Sequence, residues 1–543
     1  MKRITSKSYL AMLEHGVYNL AKNKTMLNDL NVFPVPDGDT GTNMFMTLKY
    51  AFDNLTEKEG TLEVVAKNFA SLSVFGARGN SGVILSQFIK GIADGLAGCV
   101  DAGVEELIVA LEKGCGYAYS SVAKPVEGTM LTVIRESVEA IKKKREFESV
   151  KDLIFAFVKN AKISLEDTPN RLPILKKAGV VDSGGCGIVC FFEGILAFLE
   201  GRAIEIEQNE EQVAKALDFS MINKDTPFNY GYCIEGLLQL KVDVKEFEIE
   251  KFLMELTKKG RSVVATLEKD KVKLHVHAKA LGKIMDFCQK FGEFLTIKIE
   301  NMSVQNLQKD KEKQKKFLTA DEQGEKFNVV AVATNPYLQN KFLEMGADVV
   351  ILSDMTPSSQ DFIDAFALTS CKEVLVFPNS ANSILTAIQA SSFCENKKIS
   401  ILNSRSVAEC FSALSIIDFD SMADDAVSTI NQTIKGLRKV FVYHSSKSVE
   451  FGDVKVSKND FFSLENNEKI YSVGQSLEDV VLQTIKKTTS EKACSLLTVF
   501  YAGDIAEEYV VALHEKIQSL GLDIEISTVC TMESSYSLVL MFE

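Results

Sequence analysis

The chain has no tryptophan, only five histidines and only nine prolines among its 543 residues. Its eleven cysteines are scattered, and no Cys-x-x-Cys pair occurs. In a chain this long, that pattern suits a reducing cytosol better than a disulfide framework. Long apolar runs are missing too. The most apolar stretch, Gly187 to Leu199, carries Glu193 and is too short to span a bilayer. The basic start, Met1-Lys-Arg-Ile-Thr-Ser-Lys-Ser8, leads into Glu14 and His15 rather than an apolar segment, so no signal peptide is expected. Positive charge is in deficit. A formal net charge of -13 argues against a nucleic-acid partner, because neutralising phosphates requires clustered Lys and Arg. These absences predict a cytoplasmic protein with no transmembrane segment. No Walker A sequence, kinase Gly-rich loop or His-Arg-Asp loop is present, so any phosphate would have to be held by other means.

The length implies about three to four domains. Hydrophobic residues make up 46% and charged residues 25%, enough apolar material for several soluble cores. Residues 1–203 read as an all-α helical barrel or bundle. Ser81 is placed to cap a helix in which Leu85, Phe88, Ile89, Ile92 and Leu96 recur at helical spacing. Leu165 to Asp182 reads as a break, with Thr168-Pro169 and Leu172-Pro173, before a buried helix from Ile188 to Leu199. Residues 225–305 read as a small α+β domain, with strands in Tyr230–Val242 and Ser262–Ala278 and a helix in Val244–Lys258. The charged run 306–326 reads as a linker. Residues 327–543 alternate short apolar runs with helical patterns, which predicts a parallel α/β sheet and then a less regular repeat of it.

Asn31-Val-Phe-Pro-Val-Pro-Asp-Gly-Asp-Thr-Gly-Thr-Asn43 is the most informative stretch. It places Asp37 and Asp39 on a Gly- and Pro-stiffened loop that opens into a helix. Two close carboxylates repel unless a cation lies between them, and Mg²⁺ typically takes one or two carboxylates with water and phosphate oxygens. An EF-hand is excluded, because its required Gly and Glu positions hold Thr42 and Leu48. A plain surface turn is the other reading of Pro36-Asp37-Gly38. Thr40, Gly41, Thr42 and Asn43 open a helix whose free N–H groups favour phosphate, and Asn80, Ser81 and Gly82 offer a second such opening. In Leu274-His-Val-His277 the two imidazoles share a strand face. With Cys233 on another strand they make a donor set suited to Zn²⁺, with Glu235 as a neighbouring acid-base group. A packed His pair and a buried thiol are the alternative.

Taken with Gly76-Ala-Arg-Gly-Asn-Ser-Gly82, Lys124-Pro-Val-Glu-Gly-Thr-Met130 and Val181-Asp-Ser-Gly-Gly185, the first motif resembles the nucleotide-binding domain of the bacterial fatty acid kinase ATP-binding subunit. That domain is related to the L subunit of dihydroxyacetone kinase. The rest of the chain is similar to the family's middle and DegV-like C-terminal domains. The resemblance implies ATP and Mg²⁺ as cofactors, with Asp37 and Asp39 as metal ligands and Asn31 a weaker third, since the kinase relatives carry an acidic residue near that position. It implies that Gly128, Thr129 and Met130 approach the base and phosphates, and that Asp182, Ser183 and Gly184 close the nucleotide loop. It also implies Zn²⁺ on Cys233, His275 and His277, and a DegV-type fatty-acid-binding partner that presents a fatty acid for conversion to acyl phosphate. A small-polyol kinase and a non-catalytic nucleotide or lipid sensor are the alternatives; a homodimer is left open. Two loops depart from the family. Ser353-Asp-Met-Thr-Pro-Ser-Ser359 replaces a Gly-Gly-Gln-Thr-Met-Asn-Pro-Ser type of loop, and the Asn-rich loop is Pro378-Asn-Ser-Ala-Asn-Ser383. No site residue is carried over from that lobe.

Overall fold

The computed structural model describes residues 1–31, 38–144, 146–202, 231–244, 247–301, 316–445, 448–451, 454–465, 469–533 and 536–543. The chain forms two compact units. One joins Met1–Glu207 with Phe317–Glu543, and the other is Gln208–Lys316.

The N-terminal region is helical: α1 (Ser6–Asp29), α2 (Thr40–Asn54), α3 (Leu62–Phe75), α4 (Gly79–Gly95), α5 (Val104–Ser120), α6 (Met130–Lys144), α7 (Val150–Arg171), α8 (Pro173–Ala178) and α9 (Ser183–Leu199). Helix α9 runs Ile188-Val-Cys-Phe-Phe192 with no polar face, and a helix apolar all round must be enclosed. Accordingly it packs against α1, α2, α6 and α7 and is buried along most of its length. Glycine permits the closest crossing. A Cβ at Gly194 would lie 2.3 Å from the His15 carbonyl oxygen, so the α1 and α9 backbones touch there.

Two local expectations fail in this region. The break expected from Leu165 to Asp182 is shorter than that, because α7 continues through Pro169 to Arg171. Pro169 has no N–H for the Leu165 carbonyl, and the Thr168 hydroxyl donates to that oxygen instead, at 2.7 Å. Ser81 does not cap α4. The helix begins at Gly79 with Arg78 before it and no side-chain cap.

The smaller unit holds β1 (Tyr232–Leu240), α10 (Ile249–Thr257), β2 (Arg261–Glu268), β3 (Lys271–Ala278), α11 (Leu281–Gln289) and β4 (Gly292–Asn301). Its four strands are antiparallel in the order β2-β3-β1-β4. The strand-like range from Ser262 to Ala278 is a hairpin of β2 and β3, turned at Lys269, which takes a left-handed backbone (φ 56°). Ile234, Leu238, Val272, Leu274 and Val276 pack with Phe252, Leu256 and Ile284 of the two helices, so alternate residues of β1 and β3 face the core.

The C-terminal region contains two sheets. The first uses β5 (Phe317–Thr319), β6 (Asn328–Ala333), α12 (Pro336–Glu344), β7 (Val349–Leu352), α13 (Ser359–Ala367), β8 (Glu373–Phe377), α14 (Ala381–Ser391), β9 (Lys398–Ile401), α15 (Val407–Leu414) and α16 (Ala423–Gly436). Strand order is β5-β7-β6-β8-β9, parallel except for β5. All six residues of β6 are buried, as expected when helices cover both faces of a parallel sheet. Strand β5 lies inside the run expected as linker: Phe317 is apolar and covers the sheet edge.

The second sheet uses β10 (Arg438–His444), β13 (Phe461–Glu465), β14 (Lys469–Gly474), β15 (Leu496–Tyr501), β16 (Glu525–Cys530) and β17 (Leu538–Phe542). A separate ribbon of β11 (Val449–Phe451) and β12 (Val454–Val456) precedes β13, and helices α17 (Leu477–Glu491) and α18 (Glu507–Gln518) complete the lobe. This lobe is not the looser parallel repeat expected. Its order is β14-β13-β10-β17-β15-β16, and only β15 and β16, joined through α18, run parallel. Among the described residues, no helix is long and apolar enough to cross a membrane.

Candidate active site

The first turns of α2, α4, α6 and α9 converge on one cleft. Asp39 and Thr40 come from α2, Asn80 and Ser81 from α4, Thr129 and Met130 from α6, and Asp182 and Gly184 from α9; Asn31 adds a side chain from the end of α1. Each helix start carries first-turn N–H groups without intrahelical partners and the positive end of a dipole, so four together favour an anion. The cleft's other wall is apolar, made of Ile84, Val122, Val126 and Leu131. A charged group and a flat apolar ring would be accommodated side by side.

The helix starts are tied to one another. The Ser81 hydroxyl reaches the Thr40 carbonyl at 3.5 Å. A Cβ at Gly79 would sit 2.4 Å from Asn43 Nδ2, and its φ is +59°, so α4 can begin over α2 only with glycine there. Asp182 caps α9, accepting from the Gly185 N–H at 2.7 Å, while its own N–H donates to the Thr168 hydroxyl at 3.1 Å. Burial pushes its carboxyl up to about 6, against the N–H groups of Gly185 and Met130, which favour the charged form. Among the described residues, Asn43 Nδ2 and Asn80 Oδ1 are buried without a hydrogen-bond partner. A buried polar atom left so costs about 1–3 kcal/mol; Asn80 lines the cleft and suits that end to a polar guest, whereas Asn43, an expected site residue, is not among the lining residues.

Not every expected residue faces the cleft. Gly41 presses on the Lys24 carbonyl of α1, where a Cβ would stand 2.5 Å away. Asn28 engages both the hydroxyl and the N–H of Thr42, at 2.9 and 3.1 Å. Gly82 packs on Thr47, Gly128 on Arg171 and Leu172, and the Ser183 hydroxyl donates to the Leu27 carbonyl. These five shape the loops rather than line the cleft. Asp37 lies outside the described residues. Sequence reasoning passed over Lys124, the one basic residue among the described lining residues, although it opens a motif already singled out. It also missed Asn382 and Leu385 of α14, which reach the cleft from the C-terminal region. No local pattern pointed to them.

In the smaller unit, Cys233 is the cross-strand partner of His277, and Glu235 of His275. That register puts all four positions on the sheet face opposite the core residues Ile234, Leu274 and Val276. The side chains of Cys233, Glu235 and His275 lie outside the description. Among the described residues, no group of three or more His, Cys, Asp or Glu is placed to hold a metal ion.

Three families match in succession: the DAK2 domain over residues 34–197, the FakA-like middle domain of fatty acid kinase over 229–309, and the FakA-like C-terminal domain of fatty acid kinase over 328–543. An uncharacterized protein of Staphylococcus haemolyticus is 30% identical over 541 residues, 97% of each chain. The chain belongs to the FakA-like family of fatty acid kinase proteins. A further relative, from Staphylococcus epidermidis, is 29% identical over 97% of each chain. Among solved structures, the dihydroxyacetone kinase of C. freundii, in complex with AMP-PNP and Mg²⁺, is 20% identical over 34% of this chain and 33% of its own, with a TM-score of 0.28. The Fak B3 protein of Streptococcus pneumoniae, loaded with linoleic acid, is 12% identical over 40% of this chain and 99% of its own, with a TM-score of 0.30. Membership in the family makes this a kinase-type protein, a phosphotransferase component.

Proposed function

We propose that the chain is the ATP-binding subunit of a fatty acid kinase. ATP and Mg²⁺ bind in the cleft, and the terminal phosphoryl group passes to the carboxylate of a fatty acid held by a separate DegV-type binding protein, giving acyl phosphate. The observation that carries this reading is the convergence of four helix starts on a cleft containing Asp39, with the unpaired Asn80 Oδ1 on its lining. In the same reading the helical region is a barrel of the dihydroxyacetone kinase type, and the C-terminal region is DegV-like.

The donor set fits a hard cation with phosphate. Asp39, together with Asp37 and Asn31, would hold Mg²⁺, which supplies positive charge to the phosphate oxygens when bound. The chain's own groups do the remaining work. N–H groups at Thr40, Asn80 and Gly184 cradle phosphate oxygens, and the exposed Lys124 adds a positive charge. The wall of Ile84, Val122, Val126 and Leu131 takes the base and keeps water from that end. Orientation and preset dipoles are what phosphoryl transfer chiefly needs. On the smaller unit, Cys233, His275 and His277 would hold Zn²⁺, with Glu235 adjacent.

The test is direct. Full-length protein, ATP, Mg²⁺ and a DegV-type protein loaded with a fatty acid should yield acyl phosphate. Equal turnover on free fatty acid would remove the partner from the scheme, and turnover on dihydroxyacetone instead would replace the substrate. Metal analysis of chelator-free protein should find about one Zn per chain, as three-ligand sites hold. The content should fall in Cys233→Ser, and a metal-free parent would leave an ordinary sheet surface.

A further inference from the structure

Two loops of the C-terminal region both end on Asp39. From Ser353–Ser359, the Thr356 hydroxyl donates to Asp39 Oδ2 at 3.1 Å. From Pro378–Ser383, Asn382 Nδ2 donates to Oδ1 at 3.2 Å and Oδ2 at 3.4 Å. Thr356 and Asn382 are 9% and 6% exposed, so these donors are spent inside the protein rather than on solvent.

Both loops are held from behind. Asn379 takes a left-handed backbone (φ 56°); its Nδ2 donates to the Val332 carbonyl at 2.7 Å and its Oδ1 accepts from the Ser404 hydroxyl at 2.9 Å. The Thr356 carbonyl accepts from the Arg78 guanidinium at 2.9 Å, immediately before α4. Thr356 therefore links the starts of α2 and α4, the two helices whose first turns face the cleft. The contact continues along α3 and α4. The Ser359 N–H donates to the Ala77 carbonyl at 3.1 Å, Gln389 to the Val74 carbonyl at 2.8 Å, and Gln87 to Gln389 at 2.9 Å. The Phe75 and Phe393 rings lie 5.2 Å apart.

We propose that Thr356 and Asn382 are positioning residues that orient the Asp39 carboxylate for the cation, so that the kinase site is completed by the C-terminal lobe. This rests on reading the cleft as a Mg²⁺-nucleotide site. A carboxylate that ligates a metal is itself usually fixed by hydrogen bonds, and each Asp39 oxygen retains acceptor capacity beyond its bond to the lobe. Two donors on one carboxylate also offset its charge while no cation is bound. The site then responds to lobe placement: a shift of α14 takes the Asn382 donor away from Asp39 and leaves the carboxylate on Thr356 alone.

The test uses full-length protein and titrates Mg²⁺ in the presence of a non-hydrolysable ATP analogue, with bound nucleotide as the readout. Thr356→Val and Asn382→Leu should each raise the Mg²⁺ concentration for half-maximal binding by about tenfold, the lower end of what losing such partners costs. Thr356→Ser, which keeps the hydroxyl, should behave as the parent, and maximal nucleotide bound should not change in any variant. Thermal unfolding without nucleotide confirms that the isosteric Val variant is folded. Parent-like Mg²⁺ dependence in both Thr356→Val and Asn382→Leu overturns the proposal. Tighter Mg²⁺ binding overturns it too, since the lobe would then be a block. If the parent itself binds no nucleotide with Mg²⁺, the reading of the cleft fails first, and the inference falls with it.

Discussion

Asp39 and Asp182 are both carboxylates in one cleft, yet their surroundings assign them different work. Among the described residues, Asp39 accepts side-chain donors from a distant lobe, and its replacement by Asn would keep one acceptor oxygen for them while removing the charge. Asp39→Asn should therefore fold normally and lose phosphoryl transfer by at least about 100-fold, beyond the 10–100-fold typical of residues that merely support a metal ligand. Steady-state assays with a loaded partner check this. Asp182 is buried and titrates at about 6 in the folded chain, against about 3.9 when unfolded. Between those values the folded state binds more protons, so this group's contribution to stability is full below about pH 4 and is lost as the pH rises toward 6. Asp182→Asn cannot ionise and can still cap α9. Its midpoint of thermal unfolding, relative to the parent, should be near zero shift at pH 4 and positive by pH 6.5. A difference that stays flat across that range would show that the carboxyl is not held up by burial.

Helices α7 and α9 show how far sequence reaches at the level of the element. α9 was legible because nothing polar interrupts Ile188 to Phe192, and no partner had to be known to see that it is enclosed. The end of α7 was not. Pro169 usually stops a helix, and the exception depends on the Thr168 hydroxyl serving the Leu165 carbonyl while accepting from Asp182. Thr168→Val should leave both backbone groups without partners in a buried place. A loss of about 1–3 kcal/mol is expected by urea unfolding, with weaker nucleotide binding because Asp182 loses its anchor. A Thr168→Ser variant should recover most of both. At the α1/α9 crossing, Gly194→Ala pushes a methyl group into the His15 carbonyl, and overpacking of that kind costs about 1–3 kcal/mol. That Thr40, Asn80 and Asp182 stand at helix starts was legible for a similar local reason: Gly-rich breaks meet the helices there.

At the scale of the whole molecule, what escaped the sequence is what depends on long separations. Asp39 and Asn382 are 343 positions apart, and no periodicity or spacing rule links them. No site residue was carried over from the lobe that holds Asn382, so resemblance did not supply the contact either. Removing residues 317–543 would strip Asp39 of both donors and uncover Phe75. The remaining helical region should need more Mg²⁺ to bind nucleotide than the full chain does, measured by the same titration.

The Phe75–Phe393 contact has a use in spectroscopy. Because the chain contains no tryptophan, Phe393→Trp would install a single indole at the seam between the helical region and the C-terminal lobe. Its emission would stand alone above tyrosine background and, from a position already 43% exposed, would change when the Phe75 ring is no longer beside it. The protein would then carry its own optical gauge of whether the lobe is seated while ATP, lipid carrier or product is bound.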